Sequence, residues 1–303
     1  MPQLINIGSL CIDYVYSVVE IAKVGETVAS QNVSVFPGGK GLNQSIAAAK
    51  AGISVEHFGA VGVDGAELVE FMNMAGVGVS NIATLPGRTG HAVIQIDAQG
   101  QNSIVIAGGT NREIPQQTIA NAVASAQEGG WILMQNETND VGDIIQLASS
   151  AQCKVALNLA PVDGHAQSYN YALVDLLIVN ELEAMAVSGC KSAKESFAHL
   201  ITTYPEMNLV LTMGKGGLRF YQTDGGVSGE LGAFEVSVVD ETAAGDTFVG
   251  YLMAGLVRGE SLAGVLVEAS AAGALATTRA GAAPAIPQLK EVHKLMREQS
   301  ASA

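Results

Sequence analysis

Six short apolar runs punctuate this chain, LINIGSL, VEHFGAVG, WILMQ, VALNLAP, LLIVN and LVLTMG, and within them apolar and polar residues hardly alternate. A strand with one wet face alternates with a period of two, so a run without alternation is apolar on both sides and needs cover on both. The stretches between the runs are long enough for crossover helices. The pattern therefore predicts a doubly wound α/β fold, a mostly parallel sheet with helices on its two faces. With 303 residues, 48% of them hydrophobic and only 15% charged, the chain has material for one large core, and residues 1–303 read as a single domain. Two glycine-rich loops each lead into a helix: FPGGKG into LNQSIAAAKAG, ending at Gly52, and ETAAG into DTFVGYLMAGLVRG, closed by Gly259.

Two stretches depart from this pattern. Residues 14–36 and 89–111 have strand-like alternation, the second as two strands around Ala-Gln-Gly, with Val93, Ile94 and Ile96 set against Gln95 and Asp97. They predict a small antiparallel side sheet. The closing REQSASA reads as frayed.

Charge narrows the partners. Lys and Arg number 15 against 29 Asp and Glu, a formal net charge of −14, which repels phosphate backbones and anionic lipid alike and disfavours nucleic acid or a membrane surface as partner. An anionic ligand such as a nucleotide would need local amides, a lysine or a metal to hold it. MPQLINIGSL has no basic region followed by an apolar stretch of signal length, and the expected location is cytoplasmic. Cys11, Cys153 and Cys190 are odd in number and lack CxxC or His spacing, so neither a disulfide framework nor a zinc site is expected.

In α/β sheets ligands collect at the carboxyl ends of strands, and polar residues close the apolar runs here: Asp13, Glu137, Asn158, Asn180 with Glu183, and Thr212 with Gly214. The stretch VVDETAAGDTFVG is the most pointed of these sites. Asp246 stands where a helix opens, and an aspartate there suits a cap and the positive end of the dipole. Yet Ala243, Ala244 and Gly245 before it leave backbone N–H groups uncovered, as in an anion site, which capping alone does not need.

FPGGKGLNQSIAAAKAG and DETAAGDTFVG together, with MQNET, NLAP, IVNELEA and TMGKGG in order between them, resemble the signatures of the ribokinase (PfkB-type) family of sugar kinases over essentially the whole chain. There is no GxxxxGK[ST], nor a GxGxxG after the first strand, so P-loop and dinucleotide readings lose support. The resemblance implies a kinase that moves the γ-phosphoryl group of ATP to the primary hydroxyl of a pentose, with D-ribose the expected sugar. It implies Asp246 as base, the amides of Ala243, Ala244 and Gly245 as anion hole, and Asp13, Gly39, Lys40, Asn43 and Glu137 around the sugar. Asn180, Thr212, Gly214, Lys215, Gly216, Gly217 and Ser270 would hold ATP, and Glu183 would order the water shell of its Mg2+. A K+ ion is implied beside the anion hole, held by Asp240, Thr242, Ala276, Arg279, Gly281 and Ala285, mostly through carbonyls. The side sheet would be a lid, built from residues 14–36 and 89–111, that closes over the sugar and joins a homodimer.

Lys40 can equally be read as a solvated helix-start lysine, Glu183 as a helix-surface acid and Asp240 as a strand-end acid satisfied by a turn amide. Where the family has a pocket asparagine this chain has Cys11, whose thiol is a weak donor and acceptor, which opens the choice of sugar. NLAP for Asn-Pro-Ala-Pro, Ser270 at an adenine-contact position and Ala285 in place of a serine are smaller departures. Kinases of another sugar or a nucleoside, such as deoxyribose, fructose, a ketodeoxy acid or adenosine, remain open, as does a non-catalytic sugar-binding regulator on the same fold.

Overall fold

A computed structural model describes residues 3–300. Along the chain the elements are β1 (Gln3–Ile7), β2 (Cys11–Ser17), β3 (Asn32–Gly38), α1 (Lys40–Lys50), β4 (Ser54–Val61), α2 (Ala66–Met74), β5 (Gly78–Thr84), β6 (Gly90–Ile96) and β7 (Asn102–Ala107). They continue with α3 (Gln116–Ser125), β8 (Trp131–Gln135), α4 (Val141–Ser150), β9 (Lys154–Asn158), β10 (Leu176–Asn180), α5 (Glu181–Ser188), α6 (Ala193–Thr203), β11 (Asn208–Thr212), β12 (Leu218–Gln222) and β13 (Val227–Leu231). Three helices close the chain, α7 (Ala244–Val257), α8 (Leu262–Ala276) and α9 (Leu289–Ser300). The tail expected to fray is helical as far as Ser300, and its last three residues lie outside the described ones.

The large sheet runs in the order β13-β12-β11-β10-β9-β8-β1-β4-β5. From β5 to β11 every pairing is parallel, and β12 and β13 add an antiparallel edge. Each of the six apolar runs became one of the parallel strands, and both faces are covered as their lack of alternation requires. One core layer packs α1, α7, α8 and α9 against Leu4, Leu133, Ala156 and Val210; the other fills the opposite face with residues of α3, α4 and α6 around Ile5, Ile132, Val155 and Leu209. Strand order reverses between β1 and β8, so the crevice for a ligand opens beyond their carboxyl ends.

The small sheet has the order β3-β2-β6-β7. Its expected purely antiparallel character is corrected: β2 pairs antiparallel with β3, but its other edge pairs with β6 in parallel, Asp13 opposite Ala92. The β6–β7 hairpin docks on β2 as a unit, and alternation within a strand says nothing about which edge it will meet. The boundaries shift too, because β2 opens at Cys11 and residues 109–112 form a turn of 3-10 helix instead of strand.

Close approach places the helices that matter here. A Cβ on Gly41 would stand 2.4 Å from the Ser9 amide and 2.5 Å from the Gly8 carbonyl carbon, so only glycine lets the start of α1 press onto the β1–β2 turn. A Cβ on Gly250 would stand 2.4 Å from the Ala47 Cβ, so α7 crosses α1 at that point with the two backbones nearly touching. Asp246 is one turn before Gly250 and shares its face, which is the face turned to α1.

Candidate active site

α7 begins without a capping side chain, and Ala243 at its N-cap is held in the left-handed region with φ 57°. A non-glycine residue there is strained by roughly 1–2 kcal/mol. The first N–H groups of the helix have no intrahelical acceptors. A Cβ built on Gly245 meets nothing within 4 Å, so the backbone there borders open space.

Asp246 does not cap this helix. Its carboxylate is buried, 9% exposed, and turns to α1, where Oδ2 accepts a hydrogen bond from Asn43 Nδ2 (3.0 Å) and Oδ1 one from Gln44 Nε2 (2.9 Å). Asn43 engages its amide group in this way, and among the described residues its buried Oδ1 has no protein partner. The expectation of a cap, open on the sequence alone, is thereby removed by geometry.

Around this carboxylate the structure gathers Asp13, Lys40 and Glu137. Burial foremost, then repulsion from Glu137 and Asp246, pushes the Asp13 carboxyl up to about 6, against the relief of a hydrogen bond with Cys11. Burial also drives the Cys11 thiol upward, with Asp13 and Glu137 adding to it, so Cys11 stays a neutral thiol. Lys40 loses solvation by burial, which works against its charge, yet Asp246, Glu137 and Glu183 together hold its ammonium above the usual lysine range. The lysine is half-buried, neither fully solvated nor sealed in the core. Glu137 is fixed by Ser9 Oγ and by the Lys40 amide (3.2 Å), both donating to Oε2. Gly38 leaves room for Asp13, since a Cβ there would stand 2.0 Å from Asp13 Oδ2, and Gly39 turns the chain with φ 96° into α1.

A cleft of about 560 Å3 lies on the other side of the α7 start, lined by Thr212, Gly214, Lys215, Gly217, Ala244, Gly245 and Ser270 among others. Gly216 belongs to the same turn but does not line the cleft. Lys215 stands at its mouth, 3.8 Å from Glu241 and mostly in solvent. Asn180 adjoins Thr212 across the β10–β11 register. Asn180 and Glu183 also form a capping box for α5: Asn180 Oδ1 accepts from the Glu183 amide (2.9 Å) and Glu183 Oε2 from the Asn180 amide (2.8 Å). Glu183 is buried, not a surface acid, and burial raises its carboxyl pKa while Asn180 and Lys40 oppose that. Sequence reasoning missed the apolar wall of the cleft, Phe234, Val236, Val238 and Phe248. The first three sit in an irregular stretch with no periodicity to mark them.

Asp240 is on no strand. Its Oδ1 accepts from the Thr242 amide and hydroxyl, its Oδ2 from the Gly281 amide, and its own amide donates to Thr277 O. Burial raises its pKa, but these hydrogen bonds outweigh that and hold the carboxyl below the usual range. Asp240, Thr242 and Gly281 are thus brought together, with Ala276 adjoining through Thr277. The guanidinium of Arg279 is engaged by Glu291, and Ala285 lies in a separate 3-10 turn. Among the described residues no cluster of three or more His, Cys, Asp or Glu forms a metal site, and no helix is long and apolar enough to cross a membrane.

Comparison with known proteins identifies the family. The model of the pfkB family of carbohydrate kinases matches residues 1–289. The ribokinase of Haemophilus influenzae is 32% identical over 294 residues, covering 94% of this chain and 95% of the relative. That of Staphylococcus aureus is 29% identical over 304 residues, covering 97% and 99%. Among solved structures, Arabidopsis thaliana ribokinase complexed with ribose and ATP superposes with a TM-score of 0.84 at 26% identity, covering 98% of this chain and 99% of the other. Cryptococcus neoformans ribokinase in complex with ADP gives 0.84 at 30% identity, covering 96% and 98%.

Proposed function

The chain belongs to the pfkB family of carbohydrate kinases, and from that premise we propose that it transfers the γ-phosphoryl group of ATP to the primary hydroxyl of D-ribose. The observation that carries the reading is the Asp246 carboxylate, buried, turned from its own helix to α1 within the field of Asp13 and Lys40, and adjoining Ala244 and Gly245, which line the 560 Å3 cleft. In this reading ATP lies in the cleft with its base against Phe234, Val236 and Val238. The γ-phosphoryl reaches the amides of Ala243, Ala244 and Gly245, of which that of Ala244 is held by a long hydrogen bond to Glu241 O (3.3 Å) that the phosphoryl oxygens would replace. Asp13, Glu137 and the unpaired Asn43 Oδ1 accept hydrogen bonds from sugar hydroxyls, and Lys40 adds positive charge. Asp246 takes the proton of the attacking hydroxyl as its oxygen bonds to phosphorus, and the bond to the β-phosphate oxygen breaks to release ADP. The transition state is loose, so positioning and charge stabilisation matter more than strong basicity, and an aspartate suffices.

Magnesium fits this donor set, because it is held through one or two carboxylates plus substrate phosphates, and Glu183 offers a buried carboxylate beside the cleft. Bound there it would neutralise phosphate charge. Potassium fits the Asp240 loop as a hard cation wanting oxygens, with the Asp240 carboxylate and neighbouring carbonyls as donors. It would pin the loop that carries the anion hole, and exchange of K+ for a bulky organic cation at constant ionic strength then lowers turnover. The small sheet is proposed as lid and dimer surface, because it leaves Val33, Val35 and Val105 exposed on one face and Ile104 and Ile106 on the other. Sedimentation across concentrations tests that, and a monomer at every concentration refutes it.

Cys11 favours a second reading within the family, a kinase of another sugar or of a nucleoside, because a neutral thiol reads hydroxyls weakly. A coupled ADP assay over ribose, deoxyribose, fructose, a ketodeoxy acid and adenosine decides between the two. Ribose is expected to give the highest kcat/KM, and a competitor ahead by more than about tenfold, 1.4 kcal/mol of transition-state binding, overturns the assignment.

A further inference from the structure

Beneath α1 the large sheet carries a row of polar side chains where its core is otherwise apolar. Asn158 on β9, Gln135 on β8, Asn6 on β1 and His57 on β4 sit on four adjacent strands and one face, with Gln135 opposite Asn158 and Asn6 opposite His57. Asn6, Gln44, Ser45, His57 and Gln135 are all fully buried. Gln44, on α1, joins this row to Asp246: its Nε2 donates to Asp246 Oδ1 and to Asn158 Oδ1, both at 2.9 Å.

The hydrogen bonds of the row have one permitted direction. An ionised carboxylate only accepts, so Gln44 must present its NH2 to Asp246, which leaves its Oε1 to receive Gln135 Nε2 (2.8 Å). Gln135 Nε2 also donates to Asn6 Oδ1 (3.0 Å), and Asn6 Nδ2 donates to Gly41 O and to Ser45 Oγ. Ser45 then gives its own hydrogen to His57 Nδ1 (2.9 Å), and His57 Nε2–H reaches Gly8 O (3.2 Å). Burial depresses the imidazole to about 4, only partly opposed by the Gly8 bond, so the ring is neutral and fits this pattern. Flipping any amide sets donor against donor or acceptor against acceptor. Gln135 Oε1, left without a protein partner among the described residues, is the cost of holding that direction.

We propose that Gln44 is a positioning residue for the Asp246 carboxylate, itself locked by Gln135 and the polar row under α1. The inference rests on reading Asp246 as the base. Two donors, Asn43 on Oδ2 and Gln44 on Oδ1, fix the plane of the carboxylate. Asn43 borders the substrate pocket, whereas Gln44 is wholly buried, so its grip on Asp246 is present before any substrate arrives. A base must stand within hydrogen-bond reach of the hydroxyl it deprotonates, and a displacement of about 1 Å can lower turnover about 10²-fold.

The test compares steady-state kinetics with ATP and ribose, together with thermal stability, for Gln44→Met, Gln135→Met and the distant buried control Ser196→Ala. Gln44→Met is expected to lower kcat roughly 10- to 100-fold with both KM values within about threefold of the parent. Gln135→Met, which unlocks Gln44 without removing it, is expected to lower kcat less, and Ser196→Ala to lower stability alone. If Gln44→Met does not fold, the apolar pair Gln44→Met/Gln135→Met is measured in its place with the same expectation. A kcat within twofold of the parent, a rise in KM equal to the fall in kcat, or a fall in kcat that merely follows stability across the three variants overturns the proposal. A parent protein that forms no ADP with any sugar refutes the base assignment itself, and this inference falls with it.

Discussion

Replacing Asp13 by asparagine separates binding from stability at one position, and its size follows from the electrostatics of the pocket. Burial, with Glu137 and Asp246 facing it, raises the Asp13 carboxyl from 3.8 to about 6, and the Cys11 thiol relieves only part of this. A folded-state pKa above the unfolded one means the native protein binds more protons in that window. Stability attached to this group is therefore full below pH 3.8 and is lost as pH rises through 6. Near two units at 1.36 kcal/mol each, reduced for water in the open cleft, gives about 2–3 kcal/mol of destabilisation at neutral pH. Asparagine keeps the shape and removes the charge. In urea unfolding without ligand, Asp13→Asn is expected to be more stable than the parent by about 2–3 kcal/mol above pH 7 and by under about 1 kcal/mol near pH 4. The sugar should suffer at the same time, because a hydrogen bond to a charged acceptor is worth about 1.5–3 kcal/mol, so KM for ribose rises about 10- to 100-fold. A stability difference that does not change with pH, or a variant less stable than the parent at pH 8, refutes the electrostatic account.

Three further perturbations probe the same site. Asp246→Asn is expected to keep nucleotide binding by calorimetry and to lower kcat by at least about 10²-fold, whereas near-parental turnover would leave the carboxylate without a chemical role. Gly245→Ala adds a Cβ that meets no protein atom within 4 Å, so the protein should be at least as stable as the parent while KM for ATP rises; an unchanged KM places the phosphoryl group elsewhere. Hydrogen exchange in β6 and β7 is expected to slow when ribose binds, because few core residues hold the small sheet, and identical exchange with and without sugar removes the lid.

What the sequence made legible follows from how local each signal is. The six apolar runs became β1, β4, β8, β9, β10 and β11 because cover on both faces writes itself into every residue of a strand. β5, β12 and β13 escaped: they are half-exposed, and sequences such as GVSNIAT and VSGEL carry no such run. The parallel docking of β6 on β2 depends on an edge that the chain reaches some 80 residues later, and alternation cannot encode it. Charged site residues stood out at strand ends, but the amides of the buried row did not. Asn6, Gln44 and Gln135 are buried only because each meets another polar group, and a one-dimensional pattern reads every amide as solvated. Asp246 shows the limit most clearly. A cap and a base use the same residue type at the same place in a helix, and nothing within VVDETAAGDTFVG distinguishes them. The decision lies in Asn43 and Gln44, more than 200 residues away, and those side chains reach the carboxylate only because Gly250 lets α7 settle against Ala47. The glycine one turn after the aspartate is thus what allows a helix-start acid to be drawn off its own backbone and into the site.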